Sequence, residues 1–368
     1  MHITGQPKFR KFSLSLFMSM VFIILLGFIA ISSVSSNSHD FMFSFILKKH
    51  TLWVIVGFIL YFALLVMPMT IINDWAYVLY FLGLFFLLVI LIIGDYTQGS
   101  RRWLDLGVVN FQPSEMIKLL LIFALARYLD VNNEEKPLEL KSLVIPLSIV
   151  LIPAILILLE PDLGTALSLC FIGGAMLFFV GISKVALIYM FFVTFTVSPF
   201  GWLLLKDYQK ERILSFLDPS CDPLGSGYNV LQSMIAIGSG GMIGKGYMDG
   251  TQSQLYFLPE RHTDFIFSVF SEEWGFVGGV LLICCYAVLL FDGLYVAKFA
   301  KNKFFSLVAF GICMSIFFQV FVNLGMIMGM LPVVGIPLPL FSYGGSSIII
   351  TMIALGFLQR IYKSSFVF

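Results

Sequence analysis

The sequence predicts an all-α, polytopic membrane protein, folded as one integral membrane domain over residues 1–368. Three observations predict it. First, 59% of the residues are hydrophobic and 12% are charged, half the roughly 25% charge of a soluble domain, and mean hydropathy is +0.98. Second, the apolar residues come in runs of about 20, the length of helix that crosses a bilayer core, and a helix is the element that satisfies its own backbone in lipid. Third, Lys and Arg are divided unevenly between alternate connections. Net charge is +1, so no bulk attraction to nucleic acid is expected. The cysteines (Cys170, Cys221, Cys284, Cys285 and Cys313) form no CxxC and no Cys/His ligand spacing, so neither a disulfide framework nor a zinc site is suggested.

About ten spans are predicted: 13–34, 51–69, 75–94, 114–130, 142–159, 164–182, 185–205, 264–297, 304–330 and 340–362. The first follows Lys8, Arg10 and Lys11 and is longer than a signal-peptide core of roughly 7–15 residues, so it reads as an uncleaved span. An even number of spans puts both termini on one side. That side carries Lys8, Arg10, Lys11, Arg127, Lys136, Lys141, Lys184, Lys298, Lys301, Lys303, Arg360 and Lys363, whereas the short loops opposite carry Lys48, Lys49, Arg101 and Arg102. The positive-inside rule then makes both termini cytoplasmic. It leaves the loop at 95–113, the turn Glu160–Gly164 and one long loop, 206–263 between helices 7 and 8, on the outer face.

The polar residues cluster on that face. In FQPSEMIK, Pro113 and Ser114 mark a helix start with Glu115 in its first turn. Glu115 and Lys118 are three apart and share a helix face. Lys118 is followed by apolar residues, so it is either a partner for Glu115 or a cation facing an internal, water-filled cavity. Arg101 and Arg102 beside Trp103 suit either a phosphate at the membrane surface or an interfacial anchor. Asp162, in EPDLG, either caps the next helix or lines the same cavity.

The glycine-rich stretch GSGGMIGKG, 238–246, is not a phosphate loop. Ser239 stands where the first Gly is needed, and Gly246 follows Lys245 in place of Ser or Thr. Tight turns and close backbone approach are the expected use of these glycines. Tyr228–Ile237, just before it, is mildly apolar and reads as re-entrant or interfacial.

Glu260, Arg261, His262 and Asp264 are packed into five positions at the mouth of the next span. With a helix starting near Thr263, Asp264, Ser268 and Glu272 would fall at i, i+4 and i+8 and form one polar stripe. A carboxylate at the mouth of a membrane helix is costly and is a functional candidate by default. Capping, or pairing with Arg261, is the simpler alternative. In GIPLPLFSYGGSS, Pro337 and Pro339 with Gly344 and Gly345 interrupt regular helix around Ser342 and Tyr343. Such backbone is tolerated where it lines a cavity or packs closely.

Five segments, RRWLDLGVVNFQPSEMIK, EPDLGTAL, DPLGSGYNVLQSMIAIGSGGMIGKGY, GTQSQLYFLPERHTDFIFSVFSEEWG and GIPLPLFSYGGSS, run in order along nearly the whole chain. Together they resemble the SEDS family (shape, elongation, division and sporulation), and its rod-shape members more than its division members. The resemblance implies a ten-helix enzyme of the bacterial cytoplasmic (inner) membrane with its active site on the extracytoplasmic side. Such an enzyme polymerises lipid II, a disaccharide-pentapeptide on undecaprenyl pyrophosphate, into glycan strands in cell elongation, alongside a class B penicillin-binding protein. It also implies that the acid at Asp264 is the catalytic group and that Glu115 and Lys118 share its cavity.

The chemistry joins a C4 hydroxyl to C1 of a sugar pyrophosphate. The donor is α and the product β, so one inverting displacement suffices. It needs a base, for which Asp264 is the candidate, and cations for the leaving group. Lys118, Arg101, Arg102 and Arg261 are available. A divalent cation such as Mg at the pyrophosphate would make Asp264 a ligand instead. Asp162, His262, Ser268, Glu272, Ser342 and Tyr343 complete the candidate substrate-binding set. The rival readings are a lipid II transporter, which should show repeats and midplane charges, and a non-catalytic scaffold for the transpeptidase, which would leave Lys118 and the Asp264 stripe unexplained.

Overall fold

The computed structural model describes residues 12–35, 41–93, 104–105, 110–132, 137–204, 206–218, 225–254 and 261–366. These residues are overwhelmingly helical. In chain order the helices are α1 (Leu14–Ser35), α2 (Phe41–Leu64), α3 (Met69–Ile93), α4 (Pro113–Asn132), α5 (Val144–Leu159), α6 (Leu163–Val180) and α7 (Lys184–Leu204). They continue with α8 (Asp207–Leu217), α9 (Ser226–Ser239), α10 (Thr251–Gln254), α11 (Ile266–Lys298), α12 (Lys303–Ile327) and α13 (Gly345–Phe366). The only sheet among the described residues is a two-residue antiparallel ladder in which Leu104 pairs with Phe111 and Asp105 with Asn110.

Among the described residues eight helices, α1, α2, α3, α5, α6, α11, α12 and α13, are long and apolar enough to cross a membrane. The chain is a multi-pass membrane protein. α7 contributes a shorter apolar stretch, Lys184–Val193. α4 is distinct because it carries Glu115, Lys118, Arg127 and Asp130 within 20 residues, of which 14 are buried. It packs against α3, α5, α6, α12 and α13. A helix so enclosed is surrounded by protein, so its Glu115 and Lys118 pair with each other away from the outer surface. The outward faces of α2, α3, α5 and α7 instead expose large apolar side chains such as Ile59, Phe81, Ile155 and Phe191.

The region between α7 and α11, expected as a long loop, holds α8, α9 and α10. α9, which covers the mildly apolar Tyr228–Ile237 stretch, packs on α11 and α12. The glycine-rich segment after it solves a backbone problem. α11 is interrupted at Gly275, whose φ of 64° and ψ of −163° are not helical. The interruption orphans carbonyls on one side and N–H groups on the other, and buried backbone groups need partners. Residues 241–246 supply them. Lys245 N donates to Glu272 O (3.0 Å) and Gly246 N to Glu273 O (3.1 Å), while Phe276 N donates to Gly241 O (2.9 Å) and Val277 N to Met242 O (3.1 Å). The approach is so close that a Cβ at Gly244 would lie 2.0 Å from Glu273 O and one at Gly275 would lie 2.3 Å from Gly244 N. The expectation of close backbone approach is met, by a helix rather than a ligand.

The 331–344 segment is irregular, as its prolines and glycines require. Tyr286 Oη of α11 donates to Pro339 O at 2.7 Å. Ser342 closes a local turn, its N donating to Leu338 O at 3.0 Å and its Oγ accepting from Leu338 N at 2.9 Å.

Candidate active site

Asp264 precedes α11. The helix begins at Ile266 with Phe265 as its cap, so Asp264 lies in a turn at the helix mouth, not in the first turn of the helix. Three segments converge on that turn. Asn323 Nδ2 of α12 donates to Asp264 O at 2.9 Å and also to Ile336 O at 2.7 Å. Tyr343 N donates to His262 O at 3.0 Å. Gly335, at φ +72°, brings bare backbone against the carboxylate, where a Cβ would sit 3.4 Å from Asp264 Oδ2. Glycine is the residue that adopts this φ at little cost.

Asp162 caps α6: its carboxylate accepts from Thr165 N at 3.2 Å and from Thr165 Oγ1 at 2.9 Å. Gly164, two residues on, is pressed against Val334 O, 2.8 Å from where its Cβ would be. The α6 turn therefore backs the loop that carries Gly335. Ser342 and Tyr343 come in on that loop.

Glu115 and Lys118 pair on α4, Nζ to Oε1, at 2.7 Å, both nearly buried. They line a narrow cleft closed by Ser315 and Gln319 of α12 and Thr351 of α13. Gln319 lies one helical turn before Asn323, so one face of α12 connects the Lys118 cleft to the Asp264 turn.

The expected stripe divides. Ser268 Oγ donates within its own turn to Phe265 O at 2.6 Å. Glu272 is 0% exposed, and its Oε1 accepts from Lys245 Nζ at 2.7 Å, Thr251 Oγ1 at 3.1 Å and Gln252 N at 3.1 Å. It belongs to the clasp around Gly275. The stripe was drawn from helical spacing, and the helix starts two residues too late to include Asp264. Arg261 is buried. Its positive charge, after burial, is the second cause that lowers the His262 pKa to about 4, so His262 is neutral near pH 7. Arg101, Arg102 and Trp103 lie outside the described residues. Among the described residues no three His, Cys, Asp or Glu side chains converge. A divalent ion at the pyrophosphate would draw most of its ligands from substrate oxygens.

Sequence reasoning missed Asn323. The signal was present: Gln319 and Asn323 stand at i and i+4 inside an otherwise apolar run, FFQVFVNLGM, and buried amides in a membrane helix need partners.

The chain is similar to known proteins over almost its whole length. The sequence profile of the Cell cycle protein family FtsW/RodA/SpoVE matches residues 13–366. The peptidoglycan glycosyltransferase MrdB of Escherichia coli (strain K12) is 39% identical over 346 residues, covering 94% of this chain and 92% of that protein. A solved structure concerned with the structural coordination of polymerization and crosslinking by a peptidoglycan synthase complex superposes with a TM-score of 0.83 at 32% identity, covering 96% of this chain and 98% of that one. The crystal structure of the Thermus thermophilus rod shape determining protein RodA superposes with a TM-score of 0.72 at 30% identity, covering 98% and 100%.

Proposed function

We propose that this chain, which belongs to the SEDS family of FtsW, RodA and SpoVE proteins, polymerises lipid II into peptidoglycan glycan strands by inverting β-1,4 glycosyl transfer, serving cell elongation. It is a peptidoglycan glycosyltransferase, as its curated relatives are named. The observation that carries the mechanism is the Asp264 turn, held by Asn323 and Tyr343 and faced by the bare backbone of Gly335.

Asp264 takes the proton of the acceptor C4 hydroxyl as its oxygen attacks donor C1. The C1–O bond to pyrophosphate breaks, and the electron pair leaves with undecaprenyl pyrophosphate. Lys118 offsets the charge that develops there, drawing on a cation already desolvated beside Glu115. Arg101, Arg102 and Trp103 are further binding candidates. Asp162, Ser342 and Tyr343 frame the loop, and His262 serves as a neutral hydrogen-bonding group.

Counting α4 and α7 with the eight apolar helices gives ten crossings. Lys/Arg bias then sets both termini in the cytoplasm and the α8–α10 region with the active site outside. The partner is a class B penicillin-binding protein, and the likeness to a chain of a peptidoglycan synthase complex supports that reading.

Purified protein given lipid II is the test. Wild type yields polymer on a gel, and Asp264→Asn inserts and folds normally but yields none. Normal polymer from Asp264→Asn would overturn the assignment of the base. Lipid II moved between leaflets with no polymer formed would favour a transporter.

A further inference from the structure

We propose that Asn323 is a positioning residue for the transfer reaction, acting by fixing the turn that carries Asp264 against the loop that carries Gly335. The inference rests on Asp264 being the base. Asn323 sits in the last two turns of α12 and is fully buried. One amide nitrogen spans two segments far apart in sequence, donating to Asp264 O at 2.9 Å and to Ile336 O at 2.7 Å. Both N–H groups of the amide are thereby used, and its Oδ1 has no hydrogen-bond partner among the described residues.

Neither carbonyl belongs to regular helix. Asp264 lies in the turn before α11, and Ile336 lies in the stretch between α12 and α13. Backbone outside a helix has no ladder to hold it, so its position depends on such side-chain bonds. Here the residue bonded on one side is the base itself. On the other side it is the neighbour of Gly335, where an added Cβ would lie 3.4 Å from Asp264 Oδ2. The amide therefore sets the distance between the base and the loop. Gln319, one turn earlier on the same face, lines the Lys118 cleft. α12 thus gauges both the distance from base to loop and the distance from base to cation. Displacement of a catalytic group by about 1 Å is enough to cost roughly 100-fold in rate.

The experiment is steady-state lipid II polymerisation by the full-length protein with Asn323→Leu, which keeps the side-chain shape and removes both donors. The expected result is a fall in kcat of roughly 10- to 100-fold with KM for lipid II unchanged within about twofold, because the groups that bind substrate stay in place. Asn323→Ser, smaller and retaining one donor, is measured beside it and should fall in between. It reads the same split should the Leu variant fail to fold. Wild-type kcat in a folded variant overturns the proposal. So does a loss of kcat that only tracks a lowered unfolding temperature in detergent, which marks a purely structural role. Asp264→Asn is the parallel arm. If it polymerises normally, the reading of Asp264 fails; if it is inactive while Asn323→Leu keeps full kcat, only the positioning role fails.

Discussion

Lys118 Nζ lies 2.7 Å from Glu115 Oε1, one turn apart on α4, and neither side chain is more than 9% exposed. Removing one member of a buried ion pair leaves a charge without compensation and costs about 3–5 kcal/mol, whereas removing both is often nearly neutral. Lys118→Met should therefore lower the unfolding temperature in detergent sharply, and Lys118→Met with Glu115→Gln should recover most of it. The double variant should still make no polymer from lipid II. Polymer from it would assign the pair to stability alone.

Glu272 Oε1 accepts from Lys245, Thr251 and the Gln252 amide. Glu272→Ala removes the shared acceptor of this part-buried cluster, leaving Lys245 its bond to Thr251 Oγ1, and should destabilise by about 1–2 kcal/mol. KM for lipid II should stay within about twofold of wild type, since the residue faces the clasp and not the Asp264 turn. A selective rise in KM would restore Glu272 to the substrate site.

Gly275 and Gly174 make a matched test of backbone. Alanine at Gly275 meets Gly244 N at 2.3 Å and a φ of +64°, while a Cβ at Gly174 meets nothing within 4 Å. Gly275→Ala should reduce the yield of folded protein severely. Gly174→Ala should be neutral or stabilising by up to about 1 kcal/mol, as for a helix glycine. Equal melting curves would mean that the break in α11 tolerates a side chain.

His262 is held neutral by burial and by Arg261, its pKa lowered from 6.5 to about 4. Asp264 shares its turn, and Tyr343 approaches from the loop opposite. A base depressed in the fold contributes stability that is complete above its unfolded value. That contribution is lost as pH falls from 6.5 towards 4, because the unfolded chain binds a proton that the fold refuses. The unfolding temperature should drop over that window, and His262→Gln should flatten the drop. Parallel curves for both proteins would clear His262 of the effect.

Residue types were easier to read than residue surroundings. The α4 start at Pro113, the Glu115–Lys118 pair and the Asp162 cap follow from local rules, and the structure has all three. Asp264 was legible as a costly acid. Its neighbours were not, because Asn323, Gly335 and Tyr343 reach it from α12 and the following loop, and single-sequence spacing carries no information across such distances. The clasp at Gly275 was hidden for the same reason. GSGGMIGKG announced close backbone approach, but its partner lies some 30 residues on, inside what reads as unbroken helix.

That clasp has a consequence for synthesis. A chain is made from its N-terminus, so residues 240–246 leave the ribosome before α11 does. The mending segment exists before the helix it mends, and the backbone groups flanking Gly275 gain these partners only once that segment lies alongside. Completion of α11 is therefore conditional on the preceding region having already been placed beside it.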